Sequence, residues 1–386
     1  MAKLIEITGK CFSGEWGSDD NDGNGIPVLR TTNFTNEGVV NYNNIVTRQI
    51  TKRNLETKYL RNGDIIIEKS GGSDNQPVGR VIYFEGKENT YLFNNFTGLL
   101  RVKNPDIWFP KYVFYALFCN YQKGGTRPYE NKTTGLHNLK TDQYISTFEI
   151  QEVKYVEQIE IVNKIDKITT LISYRKQQLS KLDELVKSRF VEMFIGKGYP
   201  FKTIDEVSLG KGEYGAQSAS IEYDPSRPRY VRITDINDDG TLNNDRVTSI
   251  NSADDEQYRL EYGDFMFARM GATVGKTYAF IEGSQIFAGY LIRYKLNTDL
   301  INPRYLFYYT KFDEYWNWVK LNQSGAAQPG INAKKYGSLQ IPLPPIQLQN
   351  QFATFVEQID KSKFEVKESL EKLETLKKSL MQKYFC

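Results

Sequence analysis

Residues 157–194 read EQIEIVNKIDKITTLISYRKQQLSKLDELVKSRFVEMF, and residues 351–385 read QFATFVEQIDKSKFEVKESLEKLETLKKSLMQKYF. Neither stretch contains Gly or Pro, and both are rich in Glu, Lys, Leu and Gln, which favour helix. In the first, Ile161, Ile165, Ile168, Ile172, Leu179, Leu182 and Val186 recur three and four apart, the seam of a coiled coil interrupted by Arg175. The second offers the less regular stripe Phe352, Phe355, Ile359, Val366, Leu370, Leu373, Leu376 and Leu380. Landmarks recur in order: Ile165-Asp166-Lys167 against Ile359-Asp360-Lys361, then Lys187-Ser188 and Phe194 against Lys378-Ser379 and Phe385. A long helix of this kind occurs in many proteins; its repetition at the ends of two similar stretches is what informs.

Those stretches repeat as well. Gly14-Glu15-Trp16-Gly17 matches Gly212-Glu213-Tyr214-Gly215, and Pro27–Asn33 matches Arg229–Asp235, each followed by a turn at Gly38 or Gly240. Tyr59–Ile67 matches Arg259–Phe267 around Gly63-Asp64 and Gly263-Asp264, and Asn95–Arg101 resembles Ile286–Arg293. Four co-linear matches and the helix identify a tandem duplication: globular residues 1–150, a long helix over 151–196, globular residues 197–345, and a second long helix over 346–386. Short runs such as Asp64–Ile67 and Val81–Phe84 read as strands between Gly and Asn turns. Lys111–Lys123 and Pro303–Val319 read as helices entered through a proline. The fold class is α/β (α+β), with strands predominating in each unit. Ile341-Pro342-Leu343-Pro344-Pro345 is an extended connector to the second helix. The first copy, Phe148-Glu149-Ile150-Gln151, lacks those prolines and predicts a less rigid junction.

A length of 386 residues is enough for two to three cores. With 50 Lys+Arg against 47 Asp+Glu, any nucleic-acid surface must be local. The 26 Tyr and 22 Phe suit both cores and aromatic-rich interfaces. Cys11, Cys119 and Cys386 are isolated and form no Cys-x-x-Cys pair, which supports neither zinc nor a disulfide framework. No apolar signal region or membrane span is present, so a cytoplasmic protein is expected.

Motifs that suggest catalysis fail on inspection. Gly271-Ala272-Thr273-Val274-Gly275-Lys276-Thr277 has three residues between its glycines where a phosphate-binding loop needs four. Asn302-Pro303-Arg304-Tyr305 has Arg where the amine-binding loop of adenine methyltransferases has proline, and its repeat copy is Phe109-Pro110-Lys111-Tyr112. Asp64…Glu68-Lys69 resembles part of a nuclease site, but the second copy offers Asp264, Ala268 and Arg269. No glycine-rich loop for S-adenosylmethionine follows a strand. His137, the sole histidine, has no partnered nucleophile and is expected at an ordinary surface or loop position. A non-catalytic binding protein follows, with no metal site and no cofactor in this chain.

Basic and polar residues gather around the strands and turns of both units. In the first they are Arg30, Thr32, Asn33, Lys69, Ser70, Gln76, Arg80, Arg127 and Tyr129. In the second they are Arg232, Thr234, Asp235, Arg269, Thr273, Lys276, Gln323 and Gln328. Arg and Gln pair with guanine and adenine edges, whereas Thr, Ser and Lys suit phosphates; a solvated face would carry the same residue types. Each long helix spans roughly 57 Å at 1.5 Å per residue, whereas a globular unit of this size is about 40 Å across. The second unit must bridge the end of one helix and the start of the other, so antiparallel pairing is predicted. It would set two units at opposite ends about a pseudo-two-fold axis, reading separated half-sites on duplex DNA with the helices as a ruler.

The order of parts resembles the specificity subunit of type I restriction–modification systems. So do local phrases: Gly212–Gly215 with Tyr230–Asn237, Gly263–Thr277, Ser324–Asn332, and Ile341–Phe352 leading into the helix. The resemblance covers essentially the whole chain. It implies that the globular units are target recognition domains, each reading half of a bipartite DNA site. It also implies that the helices fix the spacing and dock two methyltransferase subunits. S-adenosylmethionine, ATP and Mg then belong to partner subunits, adenine methylation to the methyltransferases, and cleavage to a motor and nuclease subunit. On that footing the loops Lys69–Arg80 and Arg269–Lys276 read base edges, and Phe190, Met193, Phe194, Met381, Tyr384 and Phe385 are candidates for docking the methyltransferases or for packing within the chain. The turn Ser73–Pro77 differs from the second copy, which fits two units reading different half-sites. The alternative reading is a coiled-coil scaffold whose globular ends bind proteins.

Overall fold

The computed structural model describes residues 1–51, 55–133, 136–250, 255–325 and 329–385. The chain divides into two units, residues 1–176 with 368–386, and residues 177–367. Each unit contains its own globular part and one segment of each long helix.

In the first unit, β1 (Phe12–Ser13), β2 (Ile26–Leu29), β3 (Ile65–Glu68), β4 (Ser70–Gly72), β5 (Val81–Tyr83), β6 (Leu92–Phe93) and β7 (Thr97–Leu100) precede helix α1 (Pro110–Gln122). Strands β1-β7-β3-β5 form an antiparallel sheet in that order, while β2 runs parallel to β6. The hairpin β8 (Glu130–Thr133) and β9 (Leu136–Leu139) extends from β4, and helix α2 (Tyr155–Phe194) then leaves the unit.

The second unit repeats the design. Its sheet is β10 (Glu213–Tyr214), β15 (Leu291–Lys295), β12 (Asp264–Ala268) and β13 (Thr277–Ala279), in that spatial order and antiparallel. Strand β11 (Arg229–Val231) runs parallel to β14 (Gln285–Phe287), as β2 does to β6. The sheet is followed by α3 (Pro303–Tyr309), α4 (Asp313–Asn322) and the long helix α5 (Ile346–Phe385). Ile65 and Ile67 of β3, and Phe265 and Phe267 of β12, face the helical core of their units, whereas Ile66 and Met266 face the smaller clusters. This alternation buries both faces of the central strand.

The matched Gly-Asp pairs are turn devices. Gly63 and Gly263 both have φ of 94°, a left-handed conformation in which a side chain would be strained. Asp64 and Asp264 accept the N–H groups of Arg61 and Glu261 at 2.8 and 2.9 Å, closing the turn. The pairing of Gly14 with Gly212 shifts in space. Gly14 and Gly215 are the equivalent positions, because a Cβ on either would collide with carbonyl oxygens at Phe93-Asn94 or Phe287-Ala288.

The two helical segments in each unit run antiparallel. In the first, Lys176 pairs with Glu374 at 3.4 Å, while Tyr384 lies beside Glu157–Lys164. In the second, Asp183 pairs with Lys363, while Phe190 meets Phe352 with ring centroids 5.3 Å apart. Ile161, Ile165, Ile168, Ile172 and Val186 are buried as the seam requires, and Leu179 and Leu182 are half-buried. Leu376 departs from its stripe and is exposed, with Lys377 turned partly inward instead.

Two other expectations need correction. The helix expected over Pro303–Val319 breaks at Thr310–Phe312, where Thr310 Oγ1 donates to the Phe307 carbonyl (2.7 Å) and lies 2.7 Å from Thr277 Oγ1. The first junction is anchored like the second despite lacking prolines: Ala2–Lys3 pairs with Glu149–Ile150, as Phe201–Thr203 pairs with Gln340–Pro342. Cys11 is a free thiol. Among the described residues no helix is long and apolar enough to cross a membrane.

A buried glutamine fastens each long helix to its globular part, and nothing in the sequence periodicity marked it. Gln158 donates to the carbonyls of Ile107 and Val153, both at 3.0 Å, and accepts the Phe109 N–H at 2.8 Å. Gln349 donates to Leu300 and Pro344 at 3.1 and 2.7 Å and accepts the Asn302 N–H at 2.9 Å. Both N–H groups precede the proline that starts a helix. Gln349→Met orphans these buried groups and is expected to destabilise the full chain by about 1–3 kcal/mol in urea unfolding. Gln351→Met, on the exposed side, should stay within about 0.5 kcal/mol.

Candidate nucleic-acid interface

The candidate cations fall into two groups once their partners are known. Arg80 grips Glu68 with two bonds (3.1 and 3.2 Å), donates to the Thr31 carbonyl at 3.2 Å, and lies 5.7 Å from the Phe34 ring centroid. Arg232 is held by both oxygens of buried Asp235, at 2.8 and 3.1 Å, and by the Arg246 carbonyl at 3.0 Å. Lys276 pairs with Asp238 at 2.7 Å. These three are neutralised within the fold. Lys69 and Arg269 are different: they end equivalent central strands, and among the described residues neither has a carboxylate partner. Lys69 Nζ donates to Ser13 Oγ at 3.1 Å. Arg269 lies over the Tyr214 ring, 4.8 Å from its centroid, with Nη2 3.4 Å from Met270 Sδ. The aromatic face and the thioether hold the guanidinium flat while leaving other N–H groups to donate.

The loops that follow these two cations differ between the units. In the first, β4 pairs with β9, bringing Ser70 opposite Asn138 and Gly72 opposite His137. Gln76 is exposed in the next turn, its N–H donating to Ser73 Oγ at 3.2 Å. Arg127 reaches the Asp74 carbonyl of the same turn at 3.4 Å, so the loop and hairpin share one surface. Tyr129 stands against Tyr144, ring centroids 5.3 Å apart, and its hydroxyl accepts from Thr147 Oγ1 at 2.8 Å. In the second unit, a 3-10 turn at Gly271–Thr273 replaces the strand, and Met270 and Ser324 both bridge to Gly330. Thr273 Oγ1 donates to the Met270 carbonyl at 3.2 Å, and Gln323 is exposed. Gln328 lies outside the described residues.

Asn33 and Asp235 are buried and build turns. Each caps a 3-10 turn by accepting the N–H of Arg30 (3.0 Å) or Arg232 (2.9 Å). Arg30 donates to the Asn44 carbonyl at 3.1 Å. Thr32 and Thr234 sit exposed on those turns.

The remaining polar motifs are occupied structurally. Asp64 is paired with Arg101 at 2.6 and 2.7 Å, and Glu68 with Arg80, which consumes both carboxylates of the nuclease-like pattern. Asn302 caps α3 by accepting the Arg304 N–H at 2.9 Å. His137 is buried on β9 rather than surface-exposed, its Nδ1 3.1 Å from Glu130 Oε2. Among the described residues no group of three or more His, Cys, Asp or Glu could hold a metal ion. Of the six helix-end residues, Phe190, Met193 and Phe194 lie in the core of the second unit. Met381 is buried in the first, with Tyr384 and Phe385 packed partly against it.

The sequence profile described as "Type I restriction modification DNA specificity domain" matches residues 1–184 and 201–378. A putative type I restriction enzyme MjaX specificity subunit from Methanocaldococcus jannaschii is 30% identical over 145 residues, 36% of this chain and 34% of that relative. The chain therefore spans about a third of that relative. The type I restriction enzyme StySPI specificity subunit of Salmonella potsdam is 22% identical across 93% of this chain and 81% of its own length. Among solved structures, the S subunit of a type I restriction–modification system from M. genitalium aligns over 100% of this chain and 95% of its own, with 14% identity and a TM-score of 0.61. With the profile matched twice, once in each repeat, the chain belongs to the family of type I restriction–modification DNA specificity proteins.

Proposed function

We propose that this chain is the non-catalytic specificity subunit of a type I restriction–modification complex, each globular unit reading one half of a bipartite DNA site. The observation that carries the proposal is a shared frame with divergent tips. Sheet order, Gly-Asp turns and glutamine clasps repeat, whereas the loops after Lys69 and Arg269 differ and begin with a cation that has no carboxylate partner among the described residues. A frame that repeats while its tips vary suits two readers of different half-sites. Lys69 holds a phosphate, and Arg269, preorganised on Tyr214, reads guanine. The long helices set half-site spacing and offer surface to two methyltransferase subunits, which carry S-adenosylmethionine; restriction subunits complete the assembly.

The test is adenine-methylation mapping of cells expressing the cognate methyltransferase with this chain, without it, or with Arg269→Ala. The wild type should produce one bipartite motif that disappears without the chain. Arg269→Ala should relax one half-site only, with a loss of about 1–3 kcal/mol on the preferred duplex. A motif that persists without the chain would contradict the specificity role. Uniform weakening across sequences would make Arg269 a phosphate contact.

A further inference from the structure

The two unneutralised cations have a companion that neither charge nor periodicity explains. In the first unit the backbone N–H of Lys69 donates to the carbonyl of Phe96 at 2.8 Å, and in the second that of Arg269 donates to the carbonyl of Tyr290 at 3.0 Å. These are the same bond in the two repeats, at the residue just before β7 or β15. Phe96 is 50% exposed and Tyr290 55% exposed. Among the described residues, neither ring packs against another aromatic ring. A single exposed aromatic is unremarkable on a protein surface. Here a large ring stands outside the sheet at the same register in both copies, its carbonyl bonded to the N–H of a cation that has no carboxylate partner among the described residues.

We infer that Phe96 and Tyr290 are base-contacting residues, each packing its ring on the bases of its half-site beside the DNA atom held by Lys69 or Arg269. The inference rests on the recognition reading above and adds two residues and a chemistry to it. Phe96 has no group to offer a phosphate, so an energetic role for it on DNA must come from apolar contact, with a thymine methyl, a base face or a partly opened base step. The adjacent cation supplies charge complementarity to the polyanion and the backbone bond fixes the spacing between the two. In the second unit Arg269 also lies over the ring of Tyr214.

The two contributions separate by their salt dependence, because phosphate contacts release counterions and apolar contacts do not. The experiment measures binding of the full chain, assembled with its methyltransferase subunits, to a duplex carrying the motif found by methylation mapping, from low to high salt. Phe96→Ala and Tyr290→Ala should each weaken binding roughly tenfold or more while leaving the slope of log K against log salt unchanged. Phe96→Tyr and Tyr290→Phe should restore most of the loss. Lys69→Ala should instead make the slope shallower by about one. Alanine variants that bind within about twofold of wild type, or whose losses come with a shallower slope, would overturn the inference while leaving the recognition reading intact. A wild-type assembly that binds no duplex specifically would overturn both.

Discussion

Arg293→Met is expected to destabilise the second unit by about 3–5 kcal/mol at neutral pH, the cost of leaving a buried charge without its partner. Arg293 is itself buried and lies 3.4 Å from Asp264, which is 2% exposed. Its guanidinium also pairs with Glu213 and donates to the carbonyls of Arg259 (2.9 Å) and Gln257 (3.2 Å). One side chain therefore ties β15 to the Gly263-Asp264 turn and to the segment before it. Burial pushes the Asp264 carboxyl above its ordinary range, against the hydrogen bond from the Glu261 N–H and the positive charges of Arg293 and Lys295. A native carboxyl with a raised pKa binds its proton more tightly than the unfolded chain does, so stability falls as pH rises through that interval. Removing Arg293 extends the interval upward. The variant should thus lose more stability at pH 7 than near pH 4, and Asp264→Asn in the Arg293→Met background should recover part of the loss at pH 7. Urea unfolding of the full chain at both pH values checks this; a loss independent of pH and unrelieved by the second substitution would place the cost in packing rather than charge. Arg101 with Asp64 forms a comparable lock in the first unit, from the strand position that Lys295 holds in the second.

These locks mark where the sequence stops being legible. Gly63-Asp64 and Gly263-Asp264 stand out as repeats, and Arg101 and Arg293 end the last matched segments, so every member of the lock was in view. The pairing was not, since Arg293 and Glu213 are 80 residues apart and meet only when β10 joins β15. The same limit governs the DNA candidates. Arg80, Arg232 and Lys276 read as available cations because a sequence shows charge but not neutralisation. Asn33 and Asp235 read as polar recognition residues because capping a 3-10 turn depends on three-residue geometry that many Asn and Asp residues share. Phe96 and Tyr290 lie inside matched stretches that differ in length by one residue, so their equivalence shows only in the backbone bonds to Lys69 and Arg269. By contrast, helix periodicity is a local property, and the seam from Ile161 to Ile172 emerges as read. Its failure at Leu376 arises where Lys377, an amphipathic side chain, lays its stem inward.

Phe190→Ala is expected to cost about 3–5 kcal/mol, which decides for packing where the sequence left packing and partner contact both open. The ring is fully buried, stacked on Phe312 (centroids 4.9 Å) and Tyr305 (5.6 Å), and edge-on to Phe352 (5.3 Å). It therefore joins α2, α3, the start of α4 and α5, and truncating it leaves a cavity walled by four aromatic rings, Phe194 included, that have little room to collapse. The repeat supplies an internal control. Lys187-Ser188 matches Lys378-Ser379, so Met381 holds the place of Phe190 in the first unit. There Met381 borders a groove of about 870 Å³, with Phe118, Ile172 and Lys377 also lining it, in place of a stacked aromatic pair. Neighbours beside an open groove already lack contacts on one side, so Met381→Ala should cost less than Phe190→Ala. Thermal and urea unfolding of the isolated chain would measure the difference, at roughly 2–4 °C of Tm per kcal/mol for a unit of this size. If Phe190→Ala left stability unchanged and abolished only assembly with the methyltransferase, the ring would be a docking residue. A large loss in the isolated chain would make it core, and any effect on assembly would then follow from the unfolding of the second unit.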